Sequence, residues 1–143
     1  MNSYPVWWDT TITLYNKYEA SNGETTWYRT VLIGCFWKYV TDYTRLEDAM
    51  HTTKVLLCRV RKSDDFLESY EWQENDDRGS YFTFSEGDIL IKGEVTDDVD
   101  DYTPGKRSSD LLKKYKGRCA EITEDAVNVG AGRVAEHYLV RGI

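Results

Sequence analysis

Between Thr10 and Tyr18 the chain alternates with the two-residue period of a β-strand. Thr10, Ile12, Leu14 and Asn16 fall on one side and Thr11, Thr13, Tyr15 and Lys17 on the other. Asn22-Gly23 reads as a turn. Trp27 to Tyr39 is the next strand, with Val31, Ile33, Cys35 and Trp37 on one face and Tyr28, Leu32 and Phe36 on the other. Apolar residues on both faces predict a central strand, hairpinned to the first. Thr53 to Val60 reads as a third strand, while Val40 to His51 has mixed polarity and fits either a loop or a short helical turn. Arg61 to Gly79 is polar, but Phe66, Leu67, Tyr70 and Trp72 are spaced to form one apolar stripe on a short helix.

Tyr81–Phe84 and Asp88–Gly93 read as two short strands joined at Ser85-Glu86-Gly87, where Gly87 suits the positive φ of a tight turn. A second short helix is expected from Asp110 to Tyr115. Cys119–Val129 and Glu136–Val140 then read as closing strands joined through Gly130-Ala131-Gly132. About seven short strands with one or two short helices predict a mainly β fold, a small barrel or sandwich. Without repeat or linker, residues 1–143 are expected to form one domain, with an N-terminal arm (1–9) and a long charged connection (94–118).

A chain of 143 residues buries roughly 70% of its unfolded surface in one core. Its 5 Trp and 11 Tyr exceed what is usual, and such rings belong to cores, sheets or contact surfaces. A net charge of −7 and a pI near 4.8 argue against wrapping nucleic acid, which needs Lys and Arg to neutralise phosphates. They are compatible with a passage through which DNA must slide without sticking. Cys35, Cys58 and Cys119 are odd in number and widely spaced, so three reduced thiols are expected. The first residues lack a secretory pattern and no apolar run approaches the ~20 residues of a membrane span, so folding in a cytoplasm, away from membranes, is expected.

The charges in the connection are sorted: Glu94, Asp97, Asp98, Asp100 and Asp101 come first, then Lys106, Arg107, Lys113, Lys114, Lys116 and Arg118. The acids lack calcium-loop spacing, which favours a solvated or partner-facing run. Ser108 and Ser109 are candidate helix caps, with Asp110 at the positive end of the dipole and the lysines at the negative end. Capping leaves Lys106 and Arg107 unexplained. If copies form a ring, the acids of one copy are expected to face the bases of the next, in a heterologous interface that closes. His51 and His137 are far apart, and His137 at a strand-like position reads as structural. Gly130-Ala131-Gly132-Arg133 matches no phosphate-binding pattern, and there is no nucleophile elbow. No residue set recommends an enzyme, and no metal or other cofactor is expected.

Several segments together carry a resemblance: Trp8–Tyr15, Trp27–Leu32 through Phe36-Trp37, Phe82–Gly93, Gly105–Leu112, Asn128–Arg133 and His137–Gly142. They resemble small proteins encoded in the head and neck gene cluster of tailed phages of Gram-positive bacteria. Within that setting the chain resembles head-completion or stopper proteins. These are small β-barrels that form rings, join a connector below the portal and help close the DNA channel. The resemblance implies a virion neck protein assembled in the host cytoplasm as a homo-oligomeric ring. Its expected neighbours are portal or adaptor and tail proteins, with packaged double-stranded DNA passing nearby. It also implies that the Glu94–Lys116 connection faces the channel and that Trp7 and Trp8 anchor the arm on a neighbour. The expected contact residues are thus Trp7, Trp8, Asp97, Asp98, Asp100, Asp101, Lys106, Arg107, Lys113 and Lys114. An adaptor, minor capsid or tail-tube component is the alternative within virions. A carbohydrate-binding module using exposed Trp and Tyr is the alternative outside them.

Overall fold

The computed structural model describes residues 4–47, 49–130 and 135–143. Strand β1 (Thr10–Glu19) turns at Asn22-Gly23 into β2 (Thr25–Leu46). The turn is closed by the Gly23 amide on the Ala20 carbonyl, with Gly23 at a φ of +87° that its missing Cβ permits. β2 pairs along its first half with β1 and along its second half with β3 (Ala49–Arg61). Helix α1 (Ser69–Glu74) follows, then β4 (Ile89–Lys92), helix α2 (Ser108–Lys114), β5 (Cys119–Glu121), β6 (Val127–Val129) and β7 (His137–Gly142). All seven strands lie in one antiparallel sheet of order β5-β4-β1-β2-β3-β7-β6. The sheet curls until the end of β5 reaches β7, next to the opposite edge, at the bridge Ile122↔Gly142, where Glu121 and Ile143 exchange backbone hydrogen bonds of 2.9 and 3.0 Å. One bridge is not a ladder, so the fold is a strongly curved, sandwich-like sheet and not a closed barrel.

Alternation along β1 sends side chains into two cores. Ile12 and Leu14 join the larger one, with Leu56, Cys58, Phe82, Phe84 and Val140. Tyr15, on the other face, joins Ile89, Ile91, Val95 and Leu111 in the smaller one. β4 divides likewise, Leu90 facing the first core and Ile89 and Ile91 the second. Full burial of one such aliphatic side chain contributes roughly 1.5–3 kcal/mol, so neither face of β1 and β4 is left bare. The cover over the second face is the 94–118 segment, which is a packed lobe carrying α2 and not an open connection.

Four expectations about the elements need correction. Val40–His51 is neither loop nor helical turn but the outer part of the β2–β3 hairpin. Ile33, expected to share a face with Cys35 and Trp37, is 74% exposed while Cys35 is fully buried. The cause is a bulge: the β1–β2 register slips between Thr10↔Cys35 and Ile12↔Leu32, and Gly34 takes a φ of +66°. Leu32 and Cys35 therefore share the core side and Ile33 turns outward. Tyr81–Phe84 is not a strand; Phe82 makes a single parallel bridge to Phe66, and the segment is held by its buried rings Phe82 and Phe84. Cys119–Val129 is broken into β5 and β6 by irregular backbone at 123–126. The total of seven strands survives because one expected strand is lost and another is split. Of the turn expected at 130–132, residues 131 and 132 lie outside the described residues.

Candidate functional site

Beyond Cys35, β2 has left β1, and before Leu56, β3 has not yet met β7. The seven pairs from Val40↔Val55 to Leu46↔Ala49 form a two-stranded ribbon with both edges unpaired among the described residues. At ~3.4 Å per residue its six steps project about 20 Å. The ribbon turns at Glu47, whose φ of +56° is the sign that tight hairpin turns require. Thr41, Tyr43, Thr52 and Val55 give it strand-forming residues, and charges at Asp42, Arg45 and Lys54 discourage indiscriminate edge pairing.

The register is regular throughout, so opposite residues share a face. One face begins in the core with Trp37 opposite Cys58 and Tyr39 opposite Leu56, then continues outward through Thr41/Lys54, Tyr43/Thr52 and Arg45/Met50. Cys58 and Leu56 are fully buried, whereas Tyr39, Tyr43 and Met50 are 37%, 66% and 61% exposed. Trp37 and Tyr39 meet edge to face at 6.0 Å. Burial at the ribbon's root, with a neighbouring Cys119, raises the Tyr39 hydroxyl above its ordinary pKa. The core face of the sheet thus runs on, uncovered, onto the hairpin.

The acids expected to face outward are largely engaged within the chain. Asp97 accepts from Lys114 Nζ at 2.6 Å and from the Tyr115 hydroxyl, and its carbonyl accepts from Tyr15 Oη at 2.7 Å. Those two side-chain bonds hold its carboxyl below the usual carboxylate range. Burial, reinforced by the Asp97 charge, pushes Tyr15 up to about 12. Asp100 closes its own turn, accepting from the Thr103 hydroxyl and the amides of Thr103 and Tyr102, which lower its pKa. Asp101 accepts from the amide and hydroxyl of Ser108 and from Trp27 Nε1 at 2.7 Å. Burial opposes its ionisation, but those three donors outweigh it and lower its pKa.

Ser108 and Ser109 consequently do not cap α2. Both lie inside its first turn; Asp101 takes the Ser108 amide and Asp110 takes the Arg107 amide. Asp98, Lys106, Arg107 and Lys113 are exposed and make no ion pair among the described residues.

Of the two N-terminal tryptophans, Trp8 is buried in its own chain. Its ring meets His137 edge-on at 5.0 Å and its carbonyl accepts from Arg61. Trp7 is 66% exposed. The Tyr4 hydroxyl donates to the Glu136 carbonyl at 2.6 Å, so the arm from residue 4 onward lies along the sheet. His137 is buried between the Ala135 carbonyl at 2.9 Å from Nδ1 and the Arg59 guanidinium at 2.8 Å from Nε2. Arginine only donates, which assigns the proton to Nδ1 and a structural role to the ring. Burial raises the pKa of the Cys35 thiol to about 12 and of Cys58 well above its ordinary value, so both are packed apolar groups and poor nucleophiles.

The element missing from the sequence-based site is the hairpin. Its only sequence signal was the density of Thr, Val and Tyr from Val40 to Val55, which polar residues on both faces disguised. Fold and surface define a small mainly β protein with a projecting two-stranded arm. Residues 7–143 match the family described as "Family of unknown function (DUF6751)", and the chain belongs to that family. No curated protein and no solved structure matches the chain.

Proposed function

We propose that the protein is a ring-forming structural subunit of a tailed-phage virion. Its place is the head–tail connector, as a stopper or head-completion component that helps close the DNA exit channel and joins the tail. The observation that carries this is the hairpin: about 20 Å of two-stranded ribbon whose core-side face holds exposed Tyr39, Tyr43 and Met50. A two-stranded ribbon alone in water is marginal, and it gains stability when a neighbour covers it. Repeated around a ring, such arms lock adjacent subunits while the folded bodies narrow the central passage. The acidic excess of −7 suits a wall past which DNA moves, because like charge opposes backbone adhesion. Electron microscopy of the assembled particle tests the assignment. A ring of this protein between portal and tail is expected, and placement on the capsid exterior or tail tip would contradict it.

A second reading, a carbohydrate-binding module, is favoured by Trp7, exposed at the rim of a cleft of about 390 Å³ lined by Trp8, Phe36, Arg59 and His137. It leaves the hairpin without a role. Glycan binding by the isolated monomer, lost in Trp7→Ala, would favour it over the connector.

A further inference from the structure

The register of the hairpin sorts its charges by face. The face continuous with the core carries Arg45 and Lys54 together with Tyr39, Tyr43 and Met50, and no acid. Asp42, opposite Thr53, lies on the other face. In a chain of net charge −7, an exposed cationic and aromatic face is unusual, and it complements a surface that is acidic and also offers an apolar group.

The chain presents such a surface around α1. Asp64, Asp65, Glu68, Glu71, Glu74 and Asp77 are all exposed there, and none makes an ion pair among the described residues. Tyr70 stands among them at 69% exposure. The helix beneath is firmly placed. Trp72 is fully buried, donates from Nε1 to the carbonyls of Arg78 and Tyr81 at 3.1 and 3.2 Å, and meets Tyr28 edge-on at 5.6 Å.

That last contact fixes where the acidic surface lies. Tyr28 is near the start of β2 and Tyr43 near its end, so the two surfaces are separated by 15 residues of one strand, on the order of 50 Å if straight. Within one copy neither Arg45 nor Lys54 forms an ion pair with these acids among the described residues. Two different complementary surfaces on one chain produce head-to-tail association, which closes into a ring when the rotation between copies permits.

We propose that the core-side face of the hairpin docks on the acidic surface around α1 of a second copy of this chain, with Arg45 and Lys54 meeting its carboxylates and Tyr43 and Met50 packing near its Tyr70. This rests on the ring-forming reading and supplies its interface. Charge favours a second copy over nucleic acid, because two cations on a hairpin whose strands are joined through Glu47-Asp48, in an acidic protein, do little to neutralise a phosphate backbone.

The test is a charge swap in the full chain, read by sedimentation velocity and native mass spectrometry. Arg45→Glu with Lys54→Glu, and separately Glu71→Lys with Glu74→Lys, alter only exposed side chains, and circular dichroism verifies that each variant folds. Each variant alone is expected to self-associate about tenfold more weakly than wild type. The two mixed are expected to regain association as alternating copies. Raising salt from about 0.1 to 1 M is expected to weaken wild-type association, as screening shortens from ~10 to ~3 Å. Rings that persist undiminished in both variants, or a mixture that regains nothing, would overturn the docking while leaving a ring-forming subunit. A wild-type chain that remains monomeric at about 100 μM, far above a micromolar dissociation constant, would overturn the ring-forming reading as well. Loss of duplex-DNA binding in the hairpin variant with self-association unchanged would assign the face to DNA instead.

Discussion

Tyr39 and Leu56 stand directly opposite each other on β2 and β3, and the core ends between them: Leu56 is fully buried and Tyr39 is 37% exposed. Inside this pair, side chains on the face are held by the sheet body; outside it, Thr41, Lys54, Tyr43 and Met50 have only each other and solvent. The hairpin is therefore separable from the fold in energetic terms. Replacing residues 41–54 by Asn-Gly, which favours a tight two-residue turn, is expected to shift Tm by only a few degrees. The same change is expected to abolish self-association. Calorimetry paired with sedimentation checks both halves, and a collapse of Tm would show that the arm is part of the folding unit.

The lobe at 94–118 hangs on Asp97, which joins Lys114, Tyr115 and, through its carbonyl, Tyr15. Removing its charge in Asp97→Asn is expected to loosen the lobe without unfolding the sheet. Amide exchange in residues 95–115 rises about tenfold, the scale of one lost charge-assisted hydrogen bond, while exchange in β1 and β2 is unchanged. Equal acceleration in both regions would mean that lobe and sheet open together.

Asp88 gives the protein a distinctive pH response. It is buried, and burial outweighs the donated bonds from Lys17 N, Ser85 N and Asn16 Nδ2 to raise its pKa to about 6. The unfolded chain has a carboxyl near 3.9, so the folded state binds the proton more tightly. The stabilisation from Asp88 is therefore fully present below about pH 4 and is lost as pH rises through about 6. It amounts to about 2–3 kcal/mol at most. Asp88→Asn presents an amide N–H toward some of those same donors, a pH-independent cost. Urea titrations of both proteins at several pH values between 4.5 and 7.5 should show wild type losing its advantage as pH rises; a constant gap would refute the assignment.

At Gly34 the bulge places the backbone at a φ of +66°, where an added Cβ would collide with the Arg61 guanidinium that donates to the Gly34 carbonyl at 2.8 Å. Gly34→Ala is expected to cost roughly 1–3 kcal/mol, measured as a fall in the urea midpoint at unchanged slope. Because Arg61 also donates to the Trp8 carbonyl, the same variant should free the N-terminal arm and increase quenching of Trp8 fluorescence.

The sequence was legible wherever burial leaves a pattern. β1, its turn at Asn22-Gly23, the centre of β2, and α2 within two residues of its ends all follow from alternation, turn chemistry or a charged first turn. The hairpin was hidden for the opposite reason. With neither face of its outer part buried by its own chain among the described residues, Thr41 to Thr53 carries polar residues on both sides, and alternation has nothing to report. Ile33 was misplaced because a one-residue bulge inverts the facing of the residues on its far side, and nothing but Gly34 marks it. Phe82 and Phe84 gave a strand signal because buried aromatics look alike in strands and in packed irregular segments. The sorted acids and bases at 94–118 were visible, but sequence alone does not show that Asp97, Asp100 and Asp101 satisfy donors of their own chain.

In an assembled ring, the hairpin's core-side face is expected to be covered by an identical neighbour. Cryo-electron microscopy of the virion neck at side-chain resolution measures it directly. The expected result is a ring in which Tyr43 and Met50 of each copy lie against the α1 surface of the next. Hairpins bare to solvent in that ring, or density for this protein found away from the neck, would contradict it.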